Sequence, residues 1–467
     1  MSLRRLLTIV GLLVMLAKVA FVISLGPAAI EMDAYGYWQL STRVIQGDVL
    51  MLGDPIAYRT PAYPWFLAAL RSLFGQRALL AIVVIQAGMW TTAIWIAGQM
   101  AARISGSMWA LPLTLWVSIP AVSALTYTAT LLTESLFTLL LMAGCMGVLR
   151  YSRQPNPRAA GVAGLILALT ILTRPIAMHL WIVHVVFLVC ALRRFGGSIR
   201  WRDVVLAGLT CCLVMSPWLW RNQRLFGEPF VTEFLGRNLW IVTFQDGSGA
   251  GLELPVTERA EKLKQELERA GVSAQWRETW TVSRALVAAG ASDPEADRWM
   301  REVAIQAIWK HPQTFAYKAV RRMANYWRCA VTELPVQGAA DAQYMDQPTW
   351  SHSIPWVRWT IDHRLSRSVW LNTVVTTMVA IATMILVVNP HTRCSGVWLG
   401  MILLYFSVVT GLLEIPNYRY RVVLEPLSSA VVAAAVVLIV MRSVPVGRRN
   451  LGETGRLETG RPETHRR

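Results

Sequence analysis

The sequence is short of charge. Only 16% of its 467 residues are Asp, Glu, Lys or Arg, against about 25% in a typical soluble chain. That deficit does not fit a water-soluble fold of this length. Cysteine is sparse too: the six cysteines show no CxxC and no Cys/His spacing, which excludes a disulfide framework and a zinc site. Cys145, Cys190, Cys211 and Cys212 lie in apolar runs, and Cys329 and Cys394 have no near partner. His179 and His184 stand five apart, off the spacing that puts two ligands on one helix face. Acidic residues number 28 against 45 basic ones, a net charge of +17. The basic residues sit in short clusters between apolar runs, which points to membrane orientation and anionic lipid and away from nucleic acid. No repeat of solenoid period is present.

What the chain has in place of charge is long apolar runs, and a run of about 20 residues spans a bilayer. Ten candidates follow: 6–25, 79–99, 108–126, 131–149, two from the overlong stretch 159–192 divided at Thr173-Arg174-Pro175, then 204–220, 369–388, 396–413 and 422–441. Pro112 and Pro120 fall inside the third, as neighbouring helices permit. Many of the 21 tryptophans flank these runs, Trp38, Trp65, Trp218 and Trp220 among them, as expected of rings that favour the headgroup region. The first run, after Arg4 and Arg5, ends at a proline-containing and poor cleavage site and reads as an uncleaved span.

Basic residues orient the spans. With the N-terminus inside, the inner loops carry Arg103, then Arg150, Arg153 and Arg158, then Arg193, Arg194, Arg200 and Arg202, then Arg393, and the tail carries Arg442, Arg448 and Arg449. Every short inner segment is positive, as the positive-inside rule asks. The expected architecture is an all-α polytopic membrane protein with about ten transmembrane helices and a small, mainly helical extracytoplasmic module. Residues 1–220 form an N-terminal transmembrane part with a long outer loop at 26–78. Residues 221–368 form the module, 369–445 the last transmembrane helices, and 446–467 a disordered basic cytoplasmic tail. In the module a charged helix is expected around Glu258–Ala270, and another begins at Ser292-Asp293-Pro294-Glu295.

This topology gathers the outward charges near one depth: Lys18, Glu31, Asp33, Arg59, Glu134, Arg174, Arg221, Glu414, Arg419 and Arg421. Ionisable groups there are costly unless paired or lining a wet cavity, so such a ring marks a candidate site. The chemistry it suits is transfer from a phosphate leaving group. A carboxylate can take a proton from a hydroxyl, and guanidiniums fit phosphate oxygens. Each residue also has a plainer use. Asp33 could cap a helix over Ala34–Leu40, Glu134 could pair with Arg174, and Lys18, Arg59 and Arg221 could anchor at the headgroups.

Asp33-Ala34-Tyr35, Gly47-Asp48, Tyr58-Arg59-Thr60-Pro61-Ala62-Tyr63-Pro64 and Leu73-Phe74-Gly75 resemble the first outer loop of GT-C glycosyltransferases. The nearest branch is the bacterial one that includes protein O-mannosyltransferases and the lipid A aminoarabinose transferase. Thr133-Glu134, Thr173-Arg174-Pro175, Pro217-Trp218-Leu219-Trp220-Arg221-Asn222, His311-Pro312 and Tyr418-Arg419-Tyr420-Arg421 follow in the same order as similar signatures there. The resemblance implies an inverting transferase in a bacterial plasma membrane, its site facing the periplasm or exterior. The donor would be a polyprenyl-phosphate sugar, and the acceptor a glycan, lipid or protein. It implies Asp33 as the catalytic base and Arg59, Tyr63, Glu134, Arg174, Arg419, Arg421 and Lys18 as substrate-binding residues. Where eukaryotic-type members carry an Asp-Glu pair, this chain has Asp33-Ala34, with Glu31 two residues earlier. No cofactor is implied, and a divalent metal stays open. The rival readings are a transporter or flippase of a lipid-linked sugar, which predicts inverted repeats and broken helices at mid-membrane, and a non-catalytic scaffold.

Overall fold

The computed structural model describes residues 2–25, 30, 32–119, 127–194, 200–245, 252–328, 369–416 and 418–443. Glu31, Cys329, the second half of the expected third span (120–126), the module's end (329–368) and the tail from 446 lie outside them. Among the described residues the protein is helical and holds no strand. Helix α1 (Leu3–Leu25) is followed by α2 (Met32–Ile45), α3 (Ala62–Phe74), α4 (Ala78–Ser105) and α5 (Ala110–Ser118). Helices α6 (Glu134–Tyr151), α7 (Pro157–Thr173), α8 (Leu180–Arg194) and α9 (Trp201–Phe226) complete the first part. The middle region carries α10 (Leu235–Trp240), α11 (Glu258–Arg269), α12 (Thr279–Ala288), α13 (Asp293–Lys310) and α14 (Pro312–Arg328). The chain closes with α15 (Val369–Val388), α16 (Arg393–Leu413), the short α17 (Tyr418–Val422) and α18 (Glu425–Ser443).

Among the described residues five helices are long and apolar enough to cross a membrane: Ala62–Ser105, which joins α3 and α4, Glu134–Tyr151, Pro175–Arg194, Trp201–Phe226 and Arg393–Leu413. Pro157–Thr173, Thr373–Val388 and Glu425–Met441 are apolar but shorter. Several of these helices carry apolar outer faces. Val374, Met378, Ile381, Met384 and Val388 of α15 are all exposed at helical spacing, and Val205, Leu209 and Leu213 form a like stripe on α9. Such continuous apolar faces are stable against lipid and not against water.

Local chemistry sets the helix ends. Asn156 accepts from the Ala159 amide at 2.8 Å and Pro157 occupies the first turn of α7, where the missing N–H is no loss. Helix α9 stops at Gly227, whose φ of 79° is left-handed. Helix α13 starts with a capping box between Ser292 and Glu295, and α11 is capped by Thr257. At Thr173 the chain leaves the helix. Arg174 is extended (φ −147°, ψ 119°), and a 3₁₀ turn over Pro175–Ala177 leads towards α8.

One large core unites the apolar helices, with Trp90, Phe137, Trp398 and Phe406 buried in it. A second core, around Trp240, Leu263, Leu286, Met300 and Val303, belongs to α10–α13. Helices α7 and α9 pack closely because Gly164 has no side chain: a methyl there would run into the Ala207 carbonyl. Gly164→Ala should therefore force the two helices apart and cost about 1–3 kcal/mol, read as a lower melting temperature in detergent.

Candidate functional site

Five segments meet at one charged cluster. Asp33 lies in the first turn of α2. Its Oδ1 accepts from Arg59 Nη2 at 2.9 Å and its Oδ2 from Arg419 Nη1 at 2.8 Å. Arg419 Nε donates to Glu134 Oε1 at 2.6 Å, and the same oxygen accepts from Arg174 Nη1 at 3.2 Å. The result is an alternating chain, Arg59–Asp33–Arg419–Glu134–Arg174. Glu134 is fully buried, whereas the Asp33 side chain stays 43% exposed, so Asp33 is the carboxylate that an incoming molecule can reach.

Each member is held by its own segment. Arg71 fastens α2 to α3 by donating to the Trp38 carbonyl, Ser41 Oγ and Thr42 Oγ1 at 2.9, 2.5 and 2.9 Å, with its guanidinium over the Trp38 ring. Arg59 lies over Tyr37, 4.4 Å from the ring centroid. Gly36 makes that position possible, since a Cβ there would sit 3.0 Å from Arg59 Nη2. The break that carries Arg174 is clamped on both sides. Thr60 Oγ1 donates to the Thr173 carbonyl at 3.2 Å, and the Tyr405 hydroxyl donates to that of Ile176.

Not every expected member joins the cluster. Arg421 turns the other way and donates to the carbonyls of Tyr326 and Trp327, at the end of α14. Of the two arginines in Tyr418-Arg419-Tyr420-Arg421, the structure brings Arg419 to the carboxylates. Lys18 donates to the Ile119 carbonyl beyond α5, which is a helix-terminus contact. Tyr63 is buried and donates to Gln86 Oε1 at 2.8 Å, and Gln86 in turn donates to the carbonyls of Thr128 and Thr130, both at 2.8 Å. Tyr63 thus supports the floor beneath Tyr37, which its ring meets edge-on at 5.1 Å. Arg221 is not an interfacial anchor. It is fully buried and donates to the carbonyls of Ile56, Met51 and Asp54 at 2.9, 3.2 and 2.6 Å, because three carbonyls of a folded-in loop need a donor away from water. His184 is packed, its Nδ1 accepting from Trp398 Nε1 at 3.2 Å. Among the described residues no three His, Cys, Asp or Glu side chains gather to hold a metal ion.

In the sequence Glu414 is only one more outer charge. It lies beside the cluster and accepts from the Tyr420 hydroxyl at 3.3 Å, while Arg174 lies over the Tyr420 ring. Two buried polar atoms in the cluster, Glu134 Oε2 and Arg59 Nε, have no hydrogen-bond partner among the described residues. An apolar cavity of about 470 Å³ runs between α6, α7, α8 and α9, lined by Leu141, Gly144, Ile171, Met178, Leu188 and Met215 among others. Its walls include Thr170 and Met178, so it begins one helical turn from Arg174.

Burial pushes the Asp33 carboxyl up, but the charges and hydrogen bonds of Arg419 and Arg59 outweigh it and hold the group well below the usual carboxylate range. At Glu414 burial wins over the Tyr420 hydroxyl and the nearby arginines, and the carboxyl is raised to about 7. No protein-family model, curated protein or solved structure matches the chain.

Two outcomes follow from the charge balance. Removing Glu134 leaves Arg174 and Arg419 facing each other without their shared carboxylate. Glu134→Ala should cost about 3–5 kcal/mol, measured by thermal unfolding of the purified protein. A carboxyl raised in the fold contributes stability while protonated and loses it as pH rises from 4.5 to about 7. The melting temperature should fall across that window, and Glu414→Gln should flatten the fall. A slope that survives the substitution would assign the effect to another group.

Proposed function

We propose that this protein is an inverting glycosyltransferase of GT-C type, moving a sugar from a polyprenyl-phosphate carrier to an acceptor hydroxyl on the extracytoplasmic side of a bacterial plasma membrane. The observation that carries the proposal is the Arg59–Asp33–Arg419–Glu134–Arg174 chain, set one helical turn from an apolar cavity. Three guanidiniums against two carboxylates leave one positive charge, the complement of a phosphodiester. A headgroup bound by these arginines puts its isoprenoid tail within reach of the cavity. The ordered resemblance of the first loop, Thr133-Glu134, Thr173-Arg174-Pro175 and Tyr418-Arg419-Tyr420-Arg421 to GT-C enzymes supports the same reading. So do the positive short loops, which favour ten spans with both ends cytoplasmic and residues 221–368 outside.

Asp33 is the base in this scheme, although its two arginine partners make it a poor one in the structure. Donor binding changes that. The phosphate draws Arg59 and Arg419 towards itself and brings a like charge beside Asp33, and both changes raise the carboxyl pKa. Asp33 then takes the proton of the acceptor hydroxyl, and the hydroxyl oxygen attacks the anomeric carbon from the face opposite the phosphate. The bond from that carbon to the phosphate oxygen breaks, and its electron pair leaves with the lipid phosphate. Arg59, Arg174 and Arg419 hold the charge that develops. Glu134 stays buried and keeps Arg174 and Arg419 aligned.

The test is release of polyprenyl phosphate from polyprenyl-phosphate sugars by the protein in nanodiscs, followed by mass spectrometry. Asp33→Asn should slow release by about 100-fold or more in protein that still folds, at a melting temperature lowered by the loss of its two ion pairs. Full activity in Asp33→Asn would remove the base. A donor that crosses the bilayer with its sugar–phosphate bond intact would replace the transferase by a transporter.

A further inference from the structure

The residue that places Arg59 is not in the first loop. Ala57, two residues before it, is almost fully buried, and its backbone is held entirely by distant segments. Its N–H donates to Asp293 Oδ2 at 2.6 Å. Its carbonyl accepts from the Glu233 amide at 3.0 Å and from Thr232 Oγ1 at 3.2 Å. Tyr58 follows, with its ring 5.2 Å from that of Trp280 and 5.9 Å from that of Phe234. The contacts at Ala57 and Tyr58 thus come from α12, the start of α13 and the strip before α10.

Asp293 is itself fixed from behind. Its Oδ1 accepts from Arg237 Nη2 at 2.5 Å. Arg237 is fully buried, pairs with Asp297 at 3.3 Å and donates to Ser283 Oγ at 3.0 and 2.8 Å. Asp297 also accepts from the amides of Gly236 and Arg237 at 2.7 and 2.9 Å. Gly236 lets α10 approach α13 this closely, since a Cβ there would collide with the Asp297 carbonyl. A buried guanidinium with two carboxylates is a stiff support, because every alternative leaves a charge unpaired away from water. One oxygen of that support is spent on the first loop.

We propose that Asp293 is a positioning residue for Arg59, by which the α10–α13 module sets the phosphate-binding geometry of the outer loop. The phosphate part rests on the function proposed above; the positioning part does not. Through Ala57 and Tyr58, Asp293 fixes where the chain delivers Arg59 to Asp33 and Tyr37. The helix start does not need Asp293 for this, because Ser292 and Glu295 form the capping box and Asp297 still pairs with Arg237.

Two measurements test it. The first needs no ligand. Asp293→Ala should speed hydrogen exchange of residues 55–60 by about tenfold, the effect of losing one charge-assisted hydrogen bond, while α11 keeps its wild-type rate. Asp293→Asn, which retains an acceptor oxygen for Ala57 but turns its amide N–H groups on Arg237, should recover part of the protection. The second uses farnesyl phosphate as probe in nanodiscs. Asp293→Ala should weaken its binding about tenfold in the wild-type background and leave it unchanged when Arg59 is already Gln. Unchanged exchange, or equal weakening in both backgrounds, overturns the proposal. If farnesyl phosphate fails to bind the wild type while exchange in Asp293→Ala accelerates, the lipid-phosphate reading falls and the positioning role is supported.

Discussion

The alternation of charge from Arg59 through Asp33, Arg419 and Glu134 to Arg174 is the constraint around which the other parts are arranged. Each guanidinium would be costly if buried alone, and so would Glu134, which is fully buried. Together they are stable only if a loop, two helix starts, a helix break and a segment near the C-terminus arrive at one place. That requirement accounts for features that look unrelated along the chain. The break at Thr173 frees carbonyls that Thr60 and Tyr405 then use as handles. Arg71 staples α2 to α3 and so orients the turn that bears Asp33. Both cost local regularity and return a fixed position for one charge.

Much of this was legible in the sequence, for definite reasons. Long apolar runs mark buried or lipid-facing helices, so the boundaries of α4, α6, α9, α15 and α16 fall close to those of the expected runs. The division at Arg174 was legible because proline and a lone charge interrupt an overlong run. The start of α13 was legible from its Ser-Asp-Pro-Glu pattern. The gathering of Asp33, Arg59, Glu134, Arg174 and Arg419 was expected from their shared depth.

Depth, however, does not fix direction. Arg419 and Arg421 are two apart, and on a short helix two residues of separation point opposite ways. Which one faces the carboxylates depends on α14, whose terminal carbonyls take Arg421, and nothing in the motif itself announces that. Lys18 and Arg221 are used up by backbone carbonyls. The bond from Asp293 to Ala57 joins residues 236 apart in sequence, and neither residue type signals a partner. Local pattern names the elements and the level of a charge; only packing decides what a side chain spends its hydrogen bonds on.

Gly36 carries a consequence for motion. Its missing side chain makes room for the Arg59 guanidinium, and a glycine inside a helix weakens it by about 1 kcal/mol relative to alanine. The weak turn lies three residues after Asp33, inside α2. Helix α2 is therefore firm where Arg71 grips it and soft where it meets Arg59. In the proposed transfer the Asp33 carboxylate would exchange an arginine for a hydroxyl, and the same vacancy that admits the arginine would give it the freedom to do so.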